Sequence, residues 1–173
     1  MRVMESFLRR RGHRVRDWGL GVNNGDARKF RVQLESIVGE STAEYGEPVV
    51  LVGWSLGGYI AREYAREHPE GVRRIVTLGS PVIGGPRYTA TSEWYRSRGH
   101  DLAEMERAVK SRYATPLRVP VTAIYSKRDG ICDWRACVDP AAIPVEVTAS
   151  HVGMAVDPRV SDHVTEALRA ISA

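Results

Sequence analysis

The stretch EPVVLVGWSLGGYIAREYA, Glu47 to Ala65, constrains this chain more than any other. PVVLV is an apolar run without polar alternation, which suits a central parallel strand covered on both faces. The run stops at Gly53, and Ile60, Ala61, Tyr64 and Ala65 then follow at helical spacing almost at once. A strand that turns so sharply into a helix strains the backbone of the turning residue and needs small neighbours, because Cβ atoms there would collide. Ser55, set between Gly53 and the Gly57-Gly58 pair, is therefore displayed rather than packed inside.

The rest of the chain alternates in the same way. Val3, Met4, Phe7 and Leu8 predict an amphipathic helix at the start, and HRVRDWGL reads as a strand. Asn24 or Asp26 can cap a long helix from about Ala27 to Tyr45, whose stripe is Phe30, Leu34, Ile37 and Tyr45 and which Gly46 and Pro48 end. His68-Pro69 closes the helix after Ser55, and VRRIVTLGS is the next strand. An irregular stretch from Gly79 to about Arg98 leads to a helix in DLAEMERAVKSRY. VPVTAIYS and IPVEVTAS are two further strands, and Asp157-Pro158 opens a last helix with Val160, Val164, Leu168 and Ile171 facing the core. This order predicts a single α/β domain over residues 1–173, a mostly parallel sheet with helices on both faces. Binding chemistry in such sheets sits at the carboxyl edge, in the loops that follow the strands.

Composition narrows the function. A hydrophobic share of 43%, a charged share of 27% and no long apolar run predict a soluble domain without stable membrane insertion. The formal charge of +4 raises nucleic acid as a partner, but the densest basic cluster, Arg9 to Arg16, has no interleaved aromatics. Most other arginines sit beside acids, as in AREYAREHPE, and read as a solvated surface, so no nucleic acid is expected. Cys132 and Cys137 are too few for a zinc site; two reduced thiols are expected, with a bridge as the alternative in an oxidising compartment. MRVMESFLRRR lacks a signal-peptide apolar region, so a cytoplasmic location is expected.

Three chemically complementary residues follow three of the strands: Ser55, Asp129 in YSKRDG, and His151 in VTASHVGM. A serine hydroxyl needs a base to take its proton, histidine has a suitable pKa, and a carboxylate fixes the imidazole tautomer. Each also has a plainer reading. Ser55 can be a turn serine capping its helix, Asp129 an ordinary turn aspartate with Asp133 as its competitor, and His151 a polar loop residue. His13, His68, His100 and His163 are rivals placed at a strand start, a helix end, an irregular loop and within the last helix.

GWSLG, followed by an acid and then a histidine, resembles the nucleophile elbow and chain order of the α/β-hydrolase superfamily, closest to its lipase and esterase branch. TLGSP and RDG extend the resemblance over nearly the whole chain. The resemblance implies a serine hydrolase that cleaves small-molecule or lipid carboxylic esters through an acyl-enzyme, with no cofactor or metal. Ser55 would attack, His151 carry the proton, Asp129 orient His151 and the Leu56 amide hold the oxyanion. Thioester hydrolysis and acyl transfer use the same triad. It also implies a cap or lid at about residues 84–113, with Trp94 and Tyr95 over the substrate; Trp54 is a further substrate-binding candidate that can equally fill space beside the elbow.

One part of that pattern is missing. The resembling fold has a strand and a glycine-marked oxyanion loop ahead of its first helix, and this chain begins at that helix. The strand would lie between HRVRDWGL and PVVLVG. Three arrangements are expected to compensate: the flanking strands close up, another chain donates a strand and makes a homo-oligomer through the exposed edge, or the sequence is a fragment of a longer protein, which is the leading expectation. GLGVNNG can offer a substitute amide. The alternative function is a catalytically impaired hydrolase-like scaffold that binds a ligand or partner chain.

Overall fold

Among the described residues four parallel strands build one sheet in the order β1 (Val49–Trp54), β2 (Val72–Leu78), β3 (Val121–Tyr125), β4 (Ile143–Glu146). The structure, a computed structural model, describes residues 1–21 and 26–169. Asn24, the end of the GLGVNNG stretch and Ile171 lie outside those residues. Helices α1 (Arg2–Arg10) and α2 (Ala27–Tyr45) precede the sheet, and α3 (Leu56–Glu67) crosses from β1 to β2. Two helices, α4 (Ser92–Ser97) and α5 (Leu102–Arg112), lie between β2 and β3, α6 (Trp134–Cys137) lies between β3 and β4, and α7 (Pro158–Arg169) follows the sheet.

The period-two alternation of β2 divides the core. Val76 and Leu78 join Met4 and Leu8 of α1 and Val160 and Val164 of α7 on one face. Ile75 points the other way, into Phe30, Leu34 and Val38 of α2 and Ile60, Tyr64 and Ala65 of α3. Helices therefore cover both faces, as the alternation of elements predicts. Asp26 caps α2 by accepting from the Lys29 amide, and Gly46 ends it at φ 70°, where a Cβ would be strained.

Four expectations need correction. HRVRDWGL is not a strand: residues 13–20 run beside the core without ladder pairing. Strand alternation would put Val15, Asp17 and Gly19 on one face, but the inward residues are Val15, Trp18 and Leu20, with Trp18 stacked on Phe30 at 4.9 Å. PVVLVG is consequently at the sheet edge instead of its centre. Among the described residues β1 pairs only with β2, and of its six residues Gly53 alone is buried. The flanking strands have not closed up. The last strand is shorter than IPVEVTAS, ending at Glu146 after four mostly exposed residues. Finally, AREYAREHPE is not all solvated surface, because the side chains of Arg62 and Glu63 are 2% and 1% exposed. Arg62 donates to Asp139 Oδ2 from Nε at 2.9 Å and from Nη2, and to Glu63 Oε1 from Nη1 at 2.7 Å. Its partner Asp139 lies far along the chain, which is why a local charge pattern misses it.

Candidate active site

The carboxyl edge of the sheet is where the elements deliver their chemistry. After β1 the chain turns at Ser55, the one non-glycine residue with positive φ (55°) among those described. Two close contacts enforce that turn: a Cβ on Gly53 would collide with the Cα of Gly58, and a Cβ on Gly58 would collide with Ser80 and lie 2.8 Å from the Gly53 carbonyl. The Ser55 amide donates to the Leu78 carbonyl at 2.8 Å, which ties the turn to the end of β2. The Ser55 side chain makes no cap hydrogen bond to α3, so it is not spent on capping. Leu56 holds the first position of α3, where a backbone N–H has no intrahelical acceptor.

Asp129 and His151 meet on the loops after β3 and β4. Asp129 Oδ2 lies 2.8 Å from His151 Nδ1, and the two residues are 4% and 6% exposed. The other carboxylate oxygen accepts from the Ile131 amide at 2.8 Å and the Cys132 amide at 2.6 Å. The His151 amide donates to the Asp129 carbonyl at 2.9 Å, so backbone as well as side chains couple the two loops. Burial pushes the Asp129 carboxyl up, but the His151, Cys132 and Ile131 hydrogen bonds outweigh it and hold the group below its ordinary value. A carboxylate so held favours the Nδ1–H tautomer of His151 and leaves Nε2 as the free nitrogen. Asp133 caps α6 instead, accepting from the Arg135 amide. The rival histidines are engaged elsewhere: His68 stacks on Tyr64, His100 packs edge-on against Tyr95 and His163 pairs with Glu166.

Trp54 joins the two halves. Its ring lies 5.1 Å from that of His151, and its Nε1 donates to the His151 carbonyl at 2.9 Å. Trp54 thus braces the histidine and does not line the cavity beside Ser55. That cavity, of about 180 Å³, is bounded by Ser55, Leu56 and Tyr59 below and by Tyr95, Met105 and Val109 above. Residues between Gly85 and Arg112 thus share the lining of this cavity with Ser55. Tyr95 is 8% exposed and lines the cavity, whereas Trp94 is 41% exposed and packs under Arg98 at 3.8 Å. The expectation that Trp94 faces substrate is corrected: adjacent residues of α4 point to different sides, and only one can face inward. Ala27 also lines the cavity, so the start of α2 reaches the site. The end of the stretch expected to supply a second amide, Val22 to Gly25, lies outside the described residues.

Sequence reasoning overlooks Gly79. At φ +53°, a Cβ there would lie 2.8 Å from Asp129 Oδ2, 3.2 Å from His151 Nδ1 and 2.6 Å from the Met154 methyl. The glycine makes room for the acid–base pair, and its place directly after β2 at the carboxyl edge is the signal that could have found it. Asp129, Cys132 and His151 are all buried, with donor atoms within 4.8 Å of one another, a set that can hold a metal ion. Their polar atoms are already used, since Asp129 and His151 bond to each other and Asp129 Oδ1 takes two amides.

A parallel sheet that carries a serine on a strand–helix turn, and an aspartate and a histidine on the two later loops of the same edge, has the α/β-hydrolase fold. Comparison with known proteins agrees: a family model described as alpha/beta hydrolase fold matches residues 45–116. Two curated relatives are pimeloyl-[acyl-carrier protein] methyl ester esterases, from Yersinia enterocolitica (33% identical over 67 residues) and Aeromonas hydrophila (35% identical over 86 residues). Those matches take in 39% and 50% of this chain but only 24% and 32% of the relatives' own length. Among solved structures, an esterase of Pyrococcus furiosus superposes with a TM-score of 0.67 at 19% identity, over 98% of this chain and 76% of that one.

Proposed function

We propose that the chain is a serine hydrolase acting on carboxylic esters. The observation that carries this reading is the buried 2.8 Å Asp129–His151 pair, tied by the Trp54 indole, on the residue before it, to a serine at positive φ that makes no cap bond. In the proposed cycle Ser55 Oγ attacks the acyl carbon while His151 Nε2 takes its proton and passes it to the leaving alcohol. Water then releases the acyl-enzyme by the same base. Asp129 holds the imidazole, and the Leu56 amide donates to the oxyanion at the end of α3. The apolar wall of Tyr95, Met105, Ala108 and Val109 supports an apolar acyl or alkyl group as the part of the substrate that is gripped, in a small-molecule or lipid ester. The esterase names of the relatives support an ester over a thioester.

No described helix is long and apolar enough to cross a membrane. The test is a fluorophosphonate probe followed by peptide mass spectrometry, with p-nitrophenyl esters as substrates. Labelling at Ser55, and turnover that falls by about six powers of ten in Ser55→Ala, is the expected result. Undiminished turnover in that variant overturns the assignment.

A second reading is supported by the open edge of β1, which presents unpaired backbone groups to any strand that can reach it. In that reading the chain is a hydrolase-derived scaffold that binds a ligand or a partner strand, a second copy included, without turnover. A folded protein that self-associates yet leaves the probe unreacted would select it.

A further inference from the structure

The cavity beside Ser55 is largely apolar, and its one charge stands at one end. Of the described residues that line it, Arg112 alone is charged at neutral pH. Met105, Ala108, Val109 and Arg112 follow at helical spacing, so a single face of α5 lines the cavity and ends on that guanidinium. The opposite wall runs the same way. Ser55, Leu56 and Tyr59 sit at the start of α3, and Glu63, which accepts from Arg112 Nη1 at 3.3 Å, lies about 12 Å further along the helix axis than Ser55. Arg112 therefore stands at the far end of the cavity from the serine.

Positive charge is in excess at that end. Arg31, Arg62, Arg66 and Arg112 pair with Glu63, Glu67 and Asp139, four guanidinium groups against three carboxylates. Donors are left over accordingly: Nε of Arg31 and Nη2 of Arg66 are buried without an acceptor among the described residues. Of the four, only Arg112 lines the cavity. The side chains of Arg62 and Arg66 are 2% and 5% exposed, whereas that of Arg112 is 30% exposed and within reach of a ligand. Both of its carboxylate contacts run through Nη1, at 3.3 Å to Glu63 and 3.6 Å to Glu67. Among the described residues its Nε and Nη2 make no hydrogen bond.

We propose that Arg112 is the anion-binding end of the substrate cavity, and that the chain acts on esters whose apolar acyl chain ends in a carboxylate. One surplus positive charge matches one negative charge, and a carboxylate can accept two guanidinium N–H groups side by side. The apolar residues between Ser55 and Arg112 hold the methylene chain, so the ester carbon lies at the serine while the charged end is neutralised two helical turns away. The choice of an ester rests on the proposed hydrolase reading, but the anion subsite does not.

The experiment compares mono-p-nitrophenyl suberate with p-nitrophenyl octanoate, two esters of equal chain length that differ in the terminal carboxylate. The expected kcat/KM is about tenfold higher for the suberate ester, because a hydrogen bond to a charged group is worth that much or more. In Arg112→Met the preference is expected to vanish or reverse, since an apolar cavity alone favours the octanoate chain. Arg112→Lys keeps the charge and loses the fork, so it is expected to prefer the suberate ester less than the wild-type chain does. Equal kcat/KM for the two esters in the wild-type chain, or a preference for the octanoate, overturns the proposal, and this comparison stands even if Arg112→Met does not fold. A suberate preference that survives in Arg112→Met also overturns it, and an undiminished one in Arg112→Lys overturns the bidentate contact. Absence of turnover of both esters counts against the hydrolase reading alone. Calorimetry on Ser55→Ala reads the subsite without turnover: monomethyl suberate is expected to bind about tenfold tighter than dimethyl suberate, and equal affinity overturns the proposal.

Discussion

On one side of β2 lies β3, where Val121, Ala123 and Ile124 are 4% exposed or less; on the other lies β1, where every residue but Gly53 is half-buried. The two neighbours are equally apolar in sequence and unequal in enclosure. β3 has β4 beyond it, while the run at residues 13–20 is unpaired and, among the described residues, no strand lies on the outer edge of β1. Asp129 follows the enclosed β3, His151 the opposite edge strand β4, and Ser55 the open β1. The serine is nevertheless positioned from within, through the Gly53–Gly58 contact, Ser80 and the Leu78 carbonyl at the end of β2. An incomplete outer flank can therefore coexist with a well-defined nucleophile turn.

The largest effect expected on the closed side is that of Asp129→Asn, which keeps the shape but no longer fixes the His151 tautomer. Turnover of p-nitrophenyl esters should fall by about four powers of ten, and a fall below tenfold would mean that the pair does not serve the serine. Gly79→Ala tests the junction of the two sides. Its Cβ must displace Asp129, His151 or Met154, so a loss of about a hundredfold in kcat with a smaller change in KM is expected.

Stability separates the flanks more directly. Leu51 and Ile75 are register partners on adjacent strands, but Ile75 is fully buried and Leu51 only partly. In urea titrations Ile75→Ala should cost about 2–5 kcal/mol and Leu51→Ala about 1 kcal/mol. Equal costs would show that something covers the β1 edge in solution.

The smallest expected effect is in acid. The carboxyl of Asp129 is held below its ordinary value in the folded state, so its stabilising contribution is complete above the unfolded-state value near 4. It declines as pH falls from there through the lower folded-state value, because the unfolded chain takes up the proton first. The stability gap between the wild-type chain and Asp129→Asn should narrow over that range and stay constant at neutral pH.

What the sequence discloses follows from how local each cause is. Helices α2, α3 and α7 are legible because their inward residues recur at helical spacing, and the Asp26 cap and Gly46 stop are local chemistry. Ser55, Asp129 and His151 are legible because each follows a strand. The misreadings all concern partners distant in the chain. An apolar run such as PVVLVG is the same in a central and an edge strand, and only its neighbour decides between them. Arg62 and Glu63 look solvated until Asp139 and Tyr113 arrive from other elements. Trp94 and Tyr95 are indistinguishable until the helix that carries them is placed.

The arginine buried in α3 has one more consequence. Arg62 lies 4.8 Å from the Tyr113 ring at the end of α5, the Tyr113 hydroxyl donates to the Val82 carbonyl at 3.1 Å, and Arg112 reaches Glu63 at 3.3 Å. Separating α5 from α3 would break the Arg112–Glu63 contact and the Arg62–Tyr113 stacking, while Arg62 and Glu63 would keep each other. The C-terminal end of α5 is thereby pinned to α3 beside the cavity that Arg112 lines.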